Sequence, residues 1–142
     1  MRALKRGVVA MGATLAGLAL AASPALAASP AVTVTPAGGL SDGSVISASA
    51  TGFSANAQLN FAECAVIGST STIACANGNQ LAAADTNGAA SVSLTVHSSF
   101  DTYNADGTLR AHIDCTTNAQ GCFVGVQNAD YSETAAATIQ FG

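Results

Sequence analysis

Apolar and small polar residues alternate along seven short segments of this chain; Val92, Leu94 and Val96, for example, alternate with serines and a threonine. A period of two residues is typical of β-strands with one buried face, and it predicts strands at 32–35, 45–51, 59–64, 91–96, 109–114, 123–127 and 137–141. Asp-Gly and Asn-Gly pairs at 42–43, 87–88 and 106–107 supply residues that tolerate the positive φ of tight turns. The pattern predicts an all-β sandwich in which the weakly patterned residues 76–84 form an irregular arm.

The N-terminus has the three parts of a secretory signal peptide. Basic residues occur between positions 2 and 6, an apolar run covers 7–22, and Ala25-Leu26-Ala27 has the small-x-small pattern that signal peptidase accepts. An uncleaved membrane anchor is the alternative, but the apolar run is short for a membrane span. The sequence therefore predicts a signal peptide at 1–27, one secreted domain at 28–142, and no membrane association after cleavage.

Cleavage would make the domain strongly acidic. The whole chain has four basic and eight acidic residues, for a net charge of −4, and three of the four basic residues lie in 1–27. The remaining domain would carry Arg110 alone against eight acids, which gives −7. Nucleic acid binding relies on several Lys or Arg contacts with phosphates, and docking on anionic lipid requires basic clusters. Nucleic acids and membranes are therefore not expected as partners. Either the partner is neutral or cationic, or the net charge serves only to keep the protein soluble. The domain is also expected to be a monomer.

Four cysteines form two pairs that are close in sequence, and all four follow the export signal. Cys64 and Cys75 are eleven positions apart, and Cys115 and Cys122 are seven apart. Four cysteines allow three connectivities, of which the local pairing Cys64–Cys75 and Cys115–Cys122 is favoured because each pair is easily reached. Closing loops of these sizes contributes on the order of 2.5–3 kcal/mol each in the loop-entropy model. The spacing lacks a C-x-x-C motif, so a zinc site is not expected.

Two groups of polar residues are candidates for a catalytic or metal site. His97, Ser98 and Asp101 are close in sequence, but no nucleophile-elbow motif accompanies them, and a polar strand-to-turn segment explains them better. His112 and Asp114 share one strand face with an arginine, which argues against a bound cation and favours a solvated row of charges. The sequence predicts no enzyme activity and no metal cofactor.

The alternation also predicts where a cleft could lie. If Leu59, Phe61, Val124 and Val126 point into the core, the opposite faces of the same two strands carry Asn60, Ala62 and Cys64 on one and Phe123, Gly125 and Gln127 on the other. An aromatic residue beside a glycine on an outward face leaves a hollow with an apolar wall. Small floor residues with a few polar groups suit an apolar ligand. The alternative is that Phe123 packs under a loop.

A set of motifs in fixed order resembles the neocarzinostatin family, the secreted apoproteins of enediyne antitumour antibiotics. The motifs span nearly all of 28–142, with both cysteine pairs: Thr33-Val34-Thr35-Pro36, Gly39-Leu40-Ser41-Asp42-Gly43, Cys64-Ala65, Asp85-Thr86-Asn87-Gly88, Ser93-Leu94-Thr95-Val96, Ser99-Phe100, Asp106-Gly107-Thr108, Asp114-Cys115-Thr116-Thr117 and Ile139-Gln140-Phe141-Gly142. The resemblance implies a seven-stranded immunoglobulin-like β-sandwich with two short disulfide-linked ribbons. It also implies a carrier that holds a labile enediyne chromophore non-covalently in a cleft between sandwich and ribbons, while the released chromophore cuts DNA. A structural or adhesive module of the cell envelope, without a small ligand, is the alternative.

The resemblance also assigns roles to individual residues of the cleft. It implies a floor made of the disulfide Cys64–Cys75, the small residues Ala62 and Gly125 and the polar residues Asn60 and Gln127. The chain departs from the family where aromatic groups would clamp the ligand: Val66 stands at a wall tryptophan, Ile73 at a leucine and Ala105 at a stacking phenylalanine, with Tyr103 the nearest aromatic residue. A second stacking phenylalanine has no counterpart in 79–81, and Glu63 replaces a glutamine. These departures leave two alternatives: a chromophore different from that of neocarzinostatin, or a ligand that is not an enediyne at all.

Overall fold

The computed structural model describes residues 28–69 and 71–142, and the predicted signal peptide at 1–27 lies outside these residues. The described chain is built of β-strands without a helix, and therefore has no helix that could cross a membrane. The ten strands are β1 (Ala31–Thr35), β2 (Ser44–Thr51), β3 (Gln58–Ile67), β4 (Thr72–Cys75), β5 (Gln80–Ala83), β6 (Ala90–Val96), β7 (Ser99–Tyr103), β8 (Leu109–Asp114), β9 (Cys122–Asn128) and β10 (Thr134–Ile139).

Two antiparallel sheets form the sandwich. One has the strand order β1-β2-β6, and the other has the order β10-β9-β3, with β5 and β4 both paired to the free side of β3. Counting β5 in the second sheet, seven strands make up the sandwich, and the all-β fold class is confirmed. One of the seven predicted strands does not belong to the sandwich, however. The strand predicted at 109–114 pairs with β7 in a separate sheet, and β5 is the seventh strand of the sandwich instead.

The period-two pattern produces the core as expected. Ile46 and Leu94 from the first sheet meet Leu59, Phe61 and Val124 from the second, and each of these side chains is almost fully buried. Burying a side chain of this size stabilises the fold by roughly 1.5–3 kcal/mol. Because every second residue of β3 and β9 is used in this way, the residues between them point away from the core.

The strand β3 continues past the sandwich and pairs with β4 to form the first ribbon. The disulfide Cys64–Cys75 joins residues that are directly opposite in register. β4 and β5 pair one after the other with the same edge of β3. Between them the pairing is interrupted, because the four residues 76–79 lie opposite only two residues of β3, Ala62 and Glu63. We call residues 76–79 the bulge segment. The predicted irregular arm at 76–84 is therefore wrong for 80–83, where the sequence Gln-Leu-Ala-Ala forms a short regular strand without a clear alternation.

The hairpin of β7 and β8 forms the second ribbon. Its base is fixed by the disulfide Cys115–Cys122, which links the end of β8 to the start of β9. Both cysteine pairs are thus local, as the spacing favoured.

Candidate functional site

A hollow of about 360 Å³ lies on the face of the second sheet that points away from the core, beside the first ribbon. We call it the main hollow. Its volume falls within the range of about 300–1,000 Å³ typical of small-molecule sites. Residues of β3, β4, β9 and β10 line it: Asn60, Ala62, Cys64, Ile73, Cys75, Phe123, Gly125, Val126, Gln127, Thr134, Ala135 and Ala136.

The floor of the main hollow is a small grid set by strand register. The middle row consists of Ala62, Gly125 and Ala136, which lie opposite one another on β3, β9 and β10. On one side of this row, Asn60, Gln127 and Thr134 are in register, and on the other side Cys64 pairs with Phe123. A row without bulky side chains between a polar row and an apolar row leaves a trough across the sheet.

The apolar side of the trough is made by Phe123, the disulfide Cys64–Cys75 and the half-exposed Ile73. A Cβ atom added to Gly125 would lie 3.5 Å from Cys64 Sγ and 3.5 Å from Cε2 of the Phe123 ring. Ring and disulfide therefore lie next to each other beside Gly125, and the missing side chain of Gly125 keeps the space in front of them open.

The opposite side of the trough offers hydrogen-bonding groups without charge. Asn60 Oδ1 accepts a hydrogen bond of 2.8 Å from Nδ2 of Asn79 in the bulge segment, and the Gln127 amide lies next to Asn60 across the strands. None of the residues that line the main hollow is ionisable apart from cysteines already joined in a disulfide. The arrangement suits an uncharged ligand that is largely apolar and has a few polar groups.

Of the eleven residues predicted for the site, the structure brings eight together in the main hollow: Asn60, Ala62, Cys64, Ile73, Cys75, Phe123, Gly125 and Gln127. Three do not line it. Val66 lies one register step beyond Cys64, opposite Ile73 on the outer part of the first ribbon. Tyr103 and Ala105 belong to the second ribbon, which is a separate two-stranded sheet, and Tyr103 stands exposed opposite Leu109.

The last strand is predicted at 137–141, whereas β10 begins at Thr134, and the predicted site residues include none from this third strand of the floor. Its residues Thr134, Ala135 and Ala136 line the main hollow because β10 pairs with β9 along the edge of the sheet. The alternation of small residues in this part of the chain is visible in the sequence. The pairing partner of β10 is not visible, because the register between β10 and β9 is a tertiary property.

Glu63 lies on β3 between two floor residues, but its side chain points to the other side of the strand and is only 3% exposed. Its Oε2 accepts a hydrogen bond of 2.9 Å from the backbone N–H of His97. Burial raises the pKa of the Glu63 carboxyl from 4.5 to about 7, although the His97 N–H and the charge of a protonated His97 oppose the shift. Within the described residues, one group of three potential metal ligands lies close together: Glu63, Cys115 and Cys122. The two sulfurs of this group are bonded to each other in a disulfide, so they are not free to bind a metal.

The residues weighed as a catalytic triad do not assemble. His97 Nδ1 lies 3.4 Å from Asp42, which also accepts a hydrogen bond of 3.0 Å from the Ser98 N–H. Asp101 instead lies 2.6 Å from His112 on the second ribbon, as a cross-strand pair. The aspartate that the sequence places near His97 therefore cannot orient it.

Comparisons with known proteins agree with the fold and with the ordered motifs. The model of the Neocarzinostatin family matches residues 32–141. Actinoxanthin and the antitumor antibiotic C-1027 apoprotein, both from Streptomyces globisporus, are each 38% identical to this chain over 128 residues, which is 90% of this chain and 86% of the relative. The solved structure of macromomycin has a TM-score of 0.71 at 34% identity, covering 80% of this chain and all of that one. Apokedarcidin has a TM-score of 0.65 at 32% identity, with 81% of this chain and all of its own covered. The chain belongs to the neocarzinostatin family.

Proposed function

We propose that this protein is a secreted, non-catalytic carrier that holds a hydrophobic small molecule, an enediyne-type chromophore, non-covalently in the main hollow. The observation that carries the proposal is the uncharged trough over Ala62, Gly125 and Ala136, between an apolar wall and a polar row. Family membership supports it, because one relative is named as the apoprotein of an antitumor antibiotic. An apoprotein is the protein part of a complex with a non-protein group.

The geometry supports binding through burial of the ligand's apolar surface rather than through a covalent bond or an ion pair. An apolar ligand in the trough would cover Phe123, Ile73 and the disulfide, and each Å² of apolar surface removed from water contributes roughly 25 cal/mol before the cost of ordering the ligand. Amide groups of Asn60 and Gln127 would orient the polar groups of the ligand. A reactive core held against the floor would be shielded from water and from dissolved thiols.

The charge of the domain supports a carrier that does not itself bind DNA. With Arg110 as the single basic side chain of 28–142 against eight acids, the domain lacks the several cationic contacts that phosphate binding needs. Damage to DNA would then be an activity of the released ligand. We also infer that the protein acts as an extracellular monomer once residues 1–27 have been removed.

The proposal is tested on protein purified gently from cultures of its native host. Native mass spectrometry is expected to show the chain 28–142 as a monomer with an additional small-molecule mass, which extraction with organic solvent removes. The chain contains no tryptophan and two tyrosines, so absorption beyond the tyrosine band would come from the ligand. The stripped protein should pass through a DNA column even at low salt. Bare, colourless protein at every stage of growth would refute the carrier role, and salt-dependent retention of the stripped protein would refute the charge argument.

A further inference from the structure

Glu63 has one carboxyl oxygen without a hydrogen-bond donor. Its Oε2 accepts the His97 N–H, whereas its Oε1 lies 3.9 Å from Cys115 Sγ. Cys115 is bonded to Cys122, so this sulfur has no hydrogen to donate. A buried carboxylate oxygen without a donor is costly, and a proton on that oxygen removes the buried charge, which is the larger part of the cost.

A small hollow of about 150 Å³ lies beside this carboxyl and provides a route by which water could reach it. We call it the Glu63 hollow. Its walls come from β3, from the bulge segment and the start of β5, and from β6 and the residue after it: Glu63, Ala76, Asn77, Gly78, Gln80, Ser93, Leu94, Thr95 and His97. The titratable groups that face Glu63 are His97 and, behind it, Asp42. The bulge segment, β6 and the disulfide Cys115–Cys122 present none.

The bulge segment lines the Glu63 hollow and is hydrogen-bonded to one floor residue of the main hollow. The N–H of Ala76 donates to the backbone oxygen of Glu63 at 2.8 Å, and Asn79 donates to the floor residue Asn60 at 2.8 Å. Between them Gly78 has φ of +117°, a backbone region that favours glycine. Residues 77–79 are exposed and oppose β3 where the ladder is interrupted, so they are the wall that can move with the loss of few contacts.

We propose that Glu63 is a proton-dependent latch: the neutral carboxyl keeps the bulge segment closed against β3, and ionisation opens it and breaks the hydrogen bond between Asn79 and Asn60. The ionised carboxylate needs a second donor for Oε1, and water entering through the Glu63 hollow supplies it once residues 77–79 move outward. One edge of the main hollow loosens at the same time, because Asn60 is part of its floor. The raised pKa of Glu63 places the transition near neutral pH.

The test uses ligand-free protein and is therefore independent of the carrier role. Amide hydrogen exchange, corrected for intrinsic rates, is measured at Ala76 and Gln80 from about pH 5 to pH 8, together with the NMR signals of the Asn60 and Asn79 side-chain amides. In the wild-type protein, protection of the Ala76 amide is expected to fall by about tenfold or more as Glu63 ionises, with a matching shift of the Asn60 signals.

Glu63→Gln removes the titration and keeps the shape of the side chain, so protection should stay flat across this range. Glu133→Gln is the matched control, because it neutralises another hydrogen-bonded glutamate far from the bulge segment and should leave the pH profile of Ala76 unchanged. Flat protection in the wild-type protein would overturn the latch. So would an unchanged pH profile in Glu63→Gln, or a profile lost in Glu133→Gln.

Discussion

Replacement of Gly125 by leucine is the most direct way to close the main hollow without disturbing the fold. Gly125 does not have the left-handed φ that would exclude a side chain, and an added Cβ would meet Cys64 Sγ and the Phe123 ring at ordinary contact distances of 3.5 Å. The first carbon therefore fits. The branched end of leucine must project into the trough over the middle row, where the ligand is proposed to lie.

The magnitude follows from the surface that the leucine would take from the ligand. A leucine side chain over the middle row would deny a ligand about 100 Å² of apolar contact, which is worth about 2.5 kcal/mol. That free energy corresponds to a roughly 70-fold rise in Kd. Gly125→Ala is the matched control, since one methyl group changes binding by about 0.8 kcal/mol, or roughly fourfold.

The assay is a fluorescence titration with Nile red, a neutral apolar dye, on ligand-free wild-type and variant proteins. Chemical-shift changes at Gly125 and Phe123 in the wild-type protein locate the dye. Both variants should unfold at or slightly above the wild-type midpoint, because replacing a strand glycine reduces the entropy of the unfolded chain. If the leucine variant folds and binds the dye as tightly as the wild-type protein does, the trough over Gly125 is not the binding site.

Three further predictions concern stability. The folded pKa of Glu63 is raised from 4.5 to about 7, so its contribution to stability is full below about pH 4.5 and is lost as the pH rises through 7. The free energy of unfolding of Glu63→Gln, measured by chemical denaturation, should therefore rise relative to that of the wild type between pH 5 and pH 8. The shift sets an upper limit of about 3 kcal/mol, and hydration of the carboxylate reduces the expected gain to about 1–2 kcal/mol. If the free energies of unfolding of variant and wild type differ by the same amount at pH 5 and at pH 8, the assigned pKa is contradicted. The Glu133 carboxylate accepts hydrogen bonds from the N–H and hydroxyl of a serine in the β2–β3 loop, so Glu133→Ala should cost about 1.5 kcal/mol in the same assay, and a loss near zero would show that this contact is immaterial. A Cβ at Gly88 would lie 1.9 Å from the backbone oxygen of Phe53, whereas Gly43 has a similar positive φ and open space; Gly88→Ala should lower stability by about 3 kcal/mol or more and Gly43→Ala by about 1 kcal/mol, and equal losses would refute the steric account.

Part of the floor of the main hollow could be predicted from sequence because the bulky core residues of β3 and β9 occupy every second position. Once Leu59 and Val124 are assigned to the core, the period of two fixes Asn60, Ala62 and Gly125 on the other face. No knowledge of the partner strand is needed for this step. By the same period Glu63 shares the strand face of Leu59 and Phe61, and the structure finds it buried, although its burial is not among the predictions made from the sequence.

What could not be predicted depends on contacts between distant strands. β4, β5 and β7 have four or five residues each, and the alanines in β4 and β5 give too little contrast between faces to reveal a strand. The third floor strand depends on β10 pairing with β9. The position of Tyr103 and Ala105 depends on how the second ribbon is oriented against the sandwich, which the disulfide Cys115–Cys122 alone does not fix.

Three of the eight acidic side chains in this domain serve surface turns. Asp106, Asp114 and Asp130 each accept hydrogen bonds from the hydroxyl and N–H of the residue two positions later, and these bonds lower the pKa of each carboxyl. These turns therefore keep their carboxylates ionised well below neutral pH. Glu63 differs, because its pKa of about 7 places its titration in a range where these three turn aspartates remain charged. A change between pH 5 and 8 thus leaves these turns intact and acts at β3, where the buried carboxyl and the floor of the main hollow occupy opposite faces of one strand.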